Sequence, residues 1–303
     1  MSLEPDQIID RRRMKRRLGL WRVVAILAVA ATVIAAFGRF DGLFGRGHVA
    51  RLWVDSLIVD DHQRDEAFAA IAEDNSVSAL IVRIDSLGGT MVGAEGLYRG
   101  MRAVAEKKPV VAVMGEMATS AGYFTALGAD HVIAGASTLT GSIGVILQTA
   151  DVTGLLEKLG IKPEIIKSRP LKAQPNPLEP FTPEAREATR AVVLDLYDMF
   201  VDRVAERRRM PRDRVLVLAD GRIFSGRQAH TVGLVDALGN ESEAREWLEK
   251  SRGVSKALPA KDVTIGEANR FWSGLAESVV GKVLFSERLR LDGALSVWHP
   301  ELW

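Results

Sequence analysis

Three short stretches hold residues whose types and spacing suit chemistry. In EMATSAGYF, residues 116–124, Ser120 follows a strand-like run and opens a stretch of helical character. Free backbone N–H groups and the helix dipole favour negative charge at such a junction. Ser120 there suits a nucleophile, with the Ala121 amide helping to hold a tetrahedral oxygen. The same position also suits an ordinary N-cap, and spacing leaves both readings open. In IDSLGGT, residues 84–90, a strand runs into Gly88-Gly89 before a helix. Paired glycines permit either a tight turn or the close approach of a ligand to a backbone amide. The spacing GGxxxG departs from the GxGxxG dinucleotide fingerprint. In KSRPLKAQPNPLEP, residues 167–180, Lys172 sits in an extended loop rich in proline. A lysine in a loop is ordinarily a solvated charge. A rigid loop is also a means of desolvating an amine, which moves its pKa down from about 10.4 and fits it for general-base work. Serine–lysine pairs are a known variant of the Ser-His-Asp arrangement.

Other chemistries find little support. The chain has no cysteine, so disulfides and thiolate catalysis are excluded, and its five histidines are scattered. No His/Asp/Glu cluster has metal-ligand spacing, and no metal or organic cofactor is expected. His131 opens a strand and is expected to point away from Ser120. Forty basic residues against thirty-nine acidic ones give no footprint for nucleic acid.

The elements that must position these residues alternate. VARLWVDSLIV, ALIVRID, PVVAVMG and HVIAG read as strands, separated by the helical stretches RDEAFAAIAED and GAEGLYRGMRAVAEK and by a small-residue helix from Thr119. This order predicts an α/β domain with mostly parallel pairing. TPEAREATRAVVLDLYDMFVDRVAERR predicts a long helix with Thr182 as N-cap and Pro183 in its first turn. Val192, Val193, Leu196, Phe200 and Val204 are expected on its buried face.

The amino terminus carries its own signal. A basic block over residues 11–22 precedes the apolar run Val23–Gly38. That run alone spans about 24 Å as a helix, and extension to Leu18 reaches about 31 Å, enough for the hydrocarbon core. Arg22 can snorkel to the interface while Trp21 anchors there. The positive-inside rule keeps the basic end in the cytoplasm. A signal peptide cleaved near Val33-Ile34-Ala35 is the rival reading.

MATSAGYF, TLTGSIGVI, IKSRPLKAQPNP and ADGRIFSGRQAHTVGLVDALG resemble, in that order, successive motifs of the signal peptide peptidase A family of membrane-bound bacterial serine proteases. The likeness runs from about residue 50 to 250. It implies a Clp-protease/crotonase-like fold, a superhelix of repeated strand–strand–helix units preceded by one transmembrane helix. It also implies Ser120 as nucleophile, Lys172 as general base and Ser142 as the serine that positions that base. Gly89 and Ala121 would form the oxyanion hole, and no metal or cofactor is needed. The implied substrates are hydrophobic peptides such as cleaved signal peptides. The implied assembly is a homo-oligomeric ring in which serine and lysine meet between protomers, on the periplasmic face of the bacterial inner membrane.

The expected organisation is a cytoplasmic N-terminus (1–17), a signal anchor (18–38), a linker (39–48), a peptidase domain (49–255) and a tail (256–303). The tail, apolar and basic in turn, is expected to occupy neighbouring grooves or the membrane surface. ADGRIFSGRQA, residues 219–229, reads as structural. Three positions depart from the family pattern. Leu87 stands where proline is usual, and Ala121 and Arg169 stand where glycine is usual. These departures keep open a catalytically inactive, membrane-tethered peptide-binding scaffold. A crotonase-like acyl-CoA enzyme is a further alternative, disfavoured by the export signal.

Overall fold

The computed structural model describes residues 19, 21–29, 47–263 and 295–297. The chain divides after Gly47 into two units, each described by itself. In the first, residues 21–29 are helical. Among the described residues no helix is long and apolar enough to cross a membrane. The expected N-terminus (1–17), most of the anchor (18–38) and most of the linker (39–48) lie outside the described residues, as does most of the tail.

The second unit is a mixed α/β sheet built in the order β1 (His48–Asp55), α1 (His62–Glu73), β2 (Val77–Ser86), β3 (Gly88–Thr90), α2 (Met91–Ala105), β4 (Val110–Thr119) and α3 (Ala121–Ala126). It continues with β5 (His131–Ala134), β6 (Leu139–Gly141), α4 (Thr153–Lys158), α5 (Pro183–Arg208), α6 (Arg212–Leu218) and β7 (Ile223–Ser225). The last elements are α7 (Gly226–Val232), β8 (Ala237–Leu238), α8 (Glu241–Arg252), β9 (Ala260–Asp262) and β10 (Leu295–Val297). Strands run in the order β7-β6-β4-β2-β1-β9, with β5 beside β4 and β8 beside β5. Every pair in this sheet is parallel except β6 with β7. The predicted parallel alternation is therefore present. β2–β3–α2 and β5–β6–α4 follow a strand–strand–helix order, whereas β1–α1 and β4–α3 each contribute one strand. The sheet takes in Ala260–Asp262, so it runs past the boundary expected at residue 255.

Burial on both faces explains why β2 and β4 read as continuous apolar runs. Leu80, Val82, Ala112 and Met114 point to one side, under Phe68 of α1, Leu97 and Met101 of α2, Phe124 of α3 and Phe200 and Val204 of α5. Their neighbours Ala79, Ile81, Val111 and Val113 point to the other, under Ala244 and Leu248 of α8. α5 begins as expected, with Thr182 accepting from Ala185 N and proline in the first turn. Its expected face is only partly right. Phe200, Val201 and Val204 are buried, Val193 and Leu196 are half-buried, and Val192 is exposed. The carboxyl-terminal half of the helix packs on the core, while much of the amino-terminal half projects from it.

The ADGRIFSGRQA stretch has structural work to do. Ser225 and Gln228 form a reciprocal capping box at the start of α7. A Cβ on Gly226 would lie 1.9 Å from the carbonyl oxygen of Gly135. Gly226→Ala is therefore expected to destabilise the protein by about 2–3 kcal/mol through overpacking, seen as a lower midpoint in thermal denaturation.

Candidate active site

Ser120 sits where β4 stops and α3 starts, and the end of β4 is fixed from three directions. Between the Ile84–Met114 and Ser86–Ala118 pairs the register of β2 and β4 slips. The Asp85 carboxylate sits in this bulge and accepts from Met117 N at 3.1 Å. Thr119 Oγ1 donates to Leu87 O at 2.9 Å, tying the strand end to the Gly88-Gly89 turn. Thr140 Oγ1 donates to Ala118 O at 2.7 Å from the β6 side. Ser120 N donates to Gly141 O at 2.8 Å.

This framework holds Ser120 at φ 55° and ψ −117°. L-residues avoid that region, and occupying it costs about 1–3 kcal/mol. Ser120 is 1% exposed, and its side chain makes no capping bond to α3. The ordinary N-cap reading thus loses its basis. The same strained strand-to-helix turn presents the nucleophile of many serine hydrolases. The positive φ falls on Ser120, while Ala121 is already helical, so the alanine methyl carries no positive-φ penalty.

α3 is locked by its own contacts. Tyr123 OH donates to Leu234 O at 2.9 Å in the interior. Phe124 meets Tyr98 and Phe200 edge-on, at centroid distances of 5.8 and 5.1 Å. Gly122 brings the helix close to β2, since a Cβ there would lie 3.1 Å from Ser86 O.

Gly89 has a steric reason of its own. A Cβ on it would fall 1.9 Å from Ile58 O. Ile58 N donates to Gly88 O and Thr90 N donates to Ile58 O, both at 2.8 Å. Residues 88 and 90 thus direct these groups at Ile58, and strand alternation turns the N–H and C=O of Gly89 to the opposite edge. Ser142 follows β6 as Ser120 follows β4, and Thr119 pairs with Gly141 in these neighbouring strands. It is buried, has φ 49°, and donates its backbone N–H to Arg222 O at 2.8 Å. Arg222 belongs to ADGRIFSGRQA, which therefore supports the Ser142 turn directly.

Ser120, Ala121, Ser142 and the Gly88-Gly89 strand are thus gathered at one end of the sheet. Lys172 differs from them in its exposure. It is exposed, in a turn where its N–H donates to Arg169 O at 3.1 Å, and Arg169 is exposed as well. The loop around it is organised by Glu179, which sequence reasoning passed over. The Glu179 carboxylate gathers Lys167, Gln174 Nε2 at 2.9 Å and Asn176 Nδ2 at 2.6 Å. These contacts, that with Lys167 first and that with Asn176 next, hold its carboxyl below the usual carboxylate range. Its position in NPLEP, among prolines, was the available signal. His131 stacks on Trp247 at 4.6 Å and lies 3.8 Å from the Asp236 carboxylate. Among the described residues, no group of three or more His, Asp or Glu side chains has the arrangement of a metal site.

Residues 102–255, about half of the chain, match the model of peptidase family S49. The chain belongs to that family. A Synechocystis sp. protein provisionally named a protease is 39% identical over 210 residues, covering 69% of this chain and 76% of its own length. The chloroplastic serine protease SPPA of Arabidopsis thaliana is 34% identical over 227 residues, covering 71% of this chain and 33% of its own. An Enterococcus faecium protein provisionally named the signal peptide peptidase SppA is 33% identical over 224 residues, covering 71% and 65%. The resemblance to signal peptide peptidase A therefore stands, and this S49 member is a peptidase.

Two expectations follow from the geometry. Ser120→Gly relieves the strain, against a cost of about 0.5–1 kcal/mol for the added freedom of glycine in the unfolded chain. It should be more stable than Ser120→Ala by about 1 kcal/mol, and a thermal midpoint for the glycine variant below that of the alanine variant would contradict this. Glu179→Gln should release the loop without unfolding the core. Limited trypsin digestion should then cut faster after Lys167 and Lys172, with the melting temperature unchanged.

Proposed function

We propose that this S49 member is a membrane-anchored serine endopeptidase that cuts hydrophobic peptides, such as cleaved signal peptides, through Ser120 and Lys172. The observation that carries the reading is Ser120 itself, buried, strained and not used as a cap at the end of β4. Ser120 Oγ attacks the scissile carbonyl while the neutral Lys172 amine takes its proton. The N–H groups of Gly89 and Ala121 hold the developing oxyanion. The ammonium then gives the proton to the leaving amine, and water hydrolyses the acyl-enzyme by the same route in reverse. Ser142 is the group that orients the lysine.

Lys172 is exposed in the single chain, so in this proposal it serves the Ser120 of a neighbouring protomer within a homo-oligomeric ring. Exposed apolar side chains around it support such packing. Leu159, Ile161, Ile165, Ile166 and Leu178 lie on its segment, with Val192 and Leu194 on the projecting half of α5. Covering them with another subunit removes their apolar surface from water. It would also desolvate a lysine, and that favours the neutral amine a base must be. Each protomer is proposed to be a Clp-protease/crotonase-like superhelix, and the ring to lie on the periplasmic face of the bacterial inner membrane. It is held there by the 18–38 anchor with the amino terminus in the cytoplasm, and the peptidase domain spans residues 49–255 plus the strand that follows.

Mixing subunits tests the reading. Ser120→Ala and Lys172→Ala should each abolish cleavage of hydrophobic peptides while leaving the assembly intact. Co-assembled rings of the two variants should regain a fraction of wild-type activity, because some contacts then bring an intact serine to an intact lysine. No regain would place serine and lysine in one protomer, and activity surviving Ser120→Ala would remove the mechanism. An intact wild-type ring that cleaves nothing would favour the inactive scaffold.

A further inference from the structure

The end of the sheet opposite Ser120 holds a cavity of about 490 Å³, a size within the range of small-molecule sites. It forms where α2, the chain leaving α3, the start of β5 and the last turn of α5 meet. Asp130 ties this corner to the first residue of β4. Its N–H donates to Val110 O at 2.8 Å, and its carboxylate accepts from Val110 N at 3.1 Å. Ser120 follows the other end of that strand, about 30 Å away.

Five guanidinium groups line the cavity, those of Arg102, Arg207, Arg208, Arg209 and Arg252, against the carboxylates of Asp130, Glu206 and Asp236. Each carboxylate is already engaged. Asp130 pairs with Arg102 at 3.0 Å, Asp236 with Arg208 at 2.7 Å, and Glu206 with Arg203, outside the lining, at 2.5 Å. Arg207, Arg209 and Arg252 have no carboxylate partner among the described residues. Arg207 donates to Leu127 O and Ala129 O, both at 2.8 Å, which fixes its plane and uses two of its five N–H groups. Burial first, and the charge of Arg102 next, push its guanidinium below the ordinary range, and an anion in the cavity would offset both. Arg252 lies over the Trp247 ring, 5.4 Å from its centroid. Arg209 ends α5 at φ 52°, whereas α7 and α8 end in the same left-handed conformation on Gly233 and Gly253. A side chain placed there at a conformational cost points to use of that side chain.

From this cavity we infer a binding site for a phosphoryl group carried by a small polar molecule. Three guanidinium groups without carboxylate partners exceed what one carboxylate ligand would neutralise, and their planar forks match phosphate oxygens in pairs. The polar lining fits a soluble phosphorylated compound or the headgroup of an anionic lipid, which share this chemistry. The site lies away from Ser120 and does not depend on the peptidase reading.

Calorimetric titration of the full chain in a non-ionic detergent tests it, with inorganic phosphate, glycerol 3-phosphate and dihexanoyl phosphatidylglycerol as probes against chloride at matched ionic strength. Binding of the first two without the lipid would identify a soluble ligand, and binding of the lipid alone a headgroup; either upholds the site. Arg209 and Arg252 are exposed, so Arg209→Gln and Arg252→Gln should keep the wild-type melting temperature. Each should weaken binding about tenfold, the loss of one charge-assisted hydrogen bond. Arg190→Gln removes an exposed charge about 26 Å along α5 from Arg207 and should bind like wild type. No binding of any probe at millimolar concentration would overturn the site. Binding that survives both cavity substitutions, or that falls equally in Arg190→Gln, would overturn it as well.

Discussion

A buried serine held at φ 55° and ψ −117° is the constraint on which the rest of this structure depends. Such a backbone persists only when its surroundings over-determine it. Here they do so by bracing the last residues of β4 against both neighbouring strands. Thr119 reaches one side, to Leu87, and Thr140 reaches in from the other, to Ala118. The bulge around Asp85 sets where the strand ends. The aromatic contacts of Phe124 and the bond from Tyr123 to Leu234 then keep α3 from rotating to relieve the turn. The parallel sheet supplies rigidity, and the two threonines convert that rigidity into a fixed direction for one side chain.

The two ends of the proposed chemistry are built differently. The Ser120 end is core, with Ser120, Ala121 and Ser142 all buried. The Lys172 end is an exposed loop held together by one carboxylate, Glu179, and by its own turns. A loop of this kind is shaped before it meets a partner surface, so less conformational freedom is lost when it docks. That division suits an enzyme whose activity is conditional on assembly. In the proposed mechanism the scaffold is complete in one chain, while the base is presented to another.

Much of the fold was legible because long elements with clear periodicity announce themselves. The runs in β2 and β4 are buried on both faces, and the Thr182–Pro183 start of α5 is a local signal that tertiary contacts did not override. Short elements were not legible. β9 and β10, at three residues each, exist through pairing with β1 and β3 rather than through any pattern of their own. Val192 was placed on a buried face by helical spacing, yet α5 outruns the core it packs on, and periodicity carries no information about where a core ends. Ser120, Ala121, Ser142 and Gly89 could be named from motifs. Their proximity at one end of the sheet came from pairings such as Thr119 with Gly141. The positive φ of Ser120 and Ser142 was invisible, because serine is not a residue that advertises such a conformation. The steric need for glycine at 89, set by the Ile58 carbonyl, was equally hidden.

The bonds that close the Ser120 turn reach far along the chain. Its backbone amide depends on Gly141, the adjacent Ser142 turn depends on Arg222, and α3 depends on Leu234. Contacts of such sequence separation form late, after the loops between them have been closed. During synthesis, a chain released only as far as α5 contains the Ser120 motif with Leu87, Thr140 and Gly141, but lacks Arg222 and Leu234, which hold the Ser142 turn and α3. The surroundings of Ser120 are therefore completed late, and a partly made polypeptide does not hold that serine as the finished fold does.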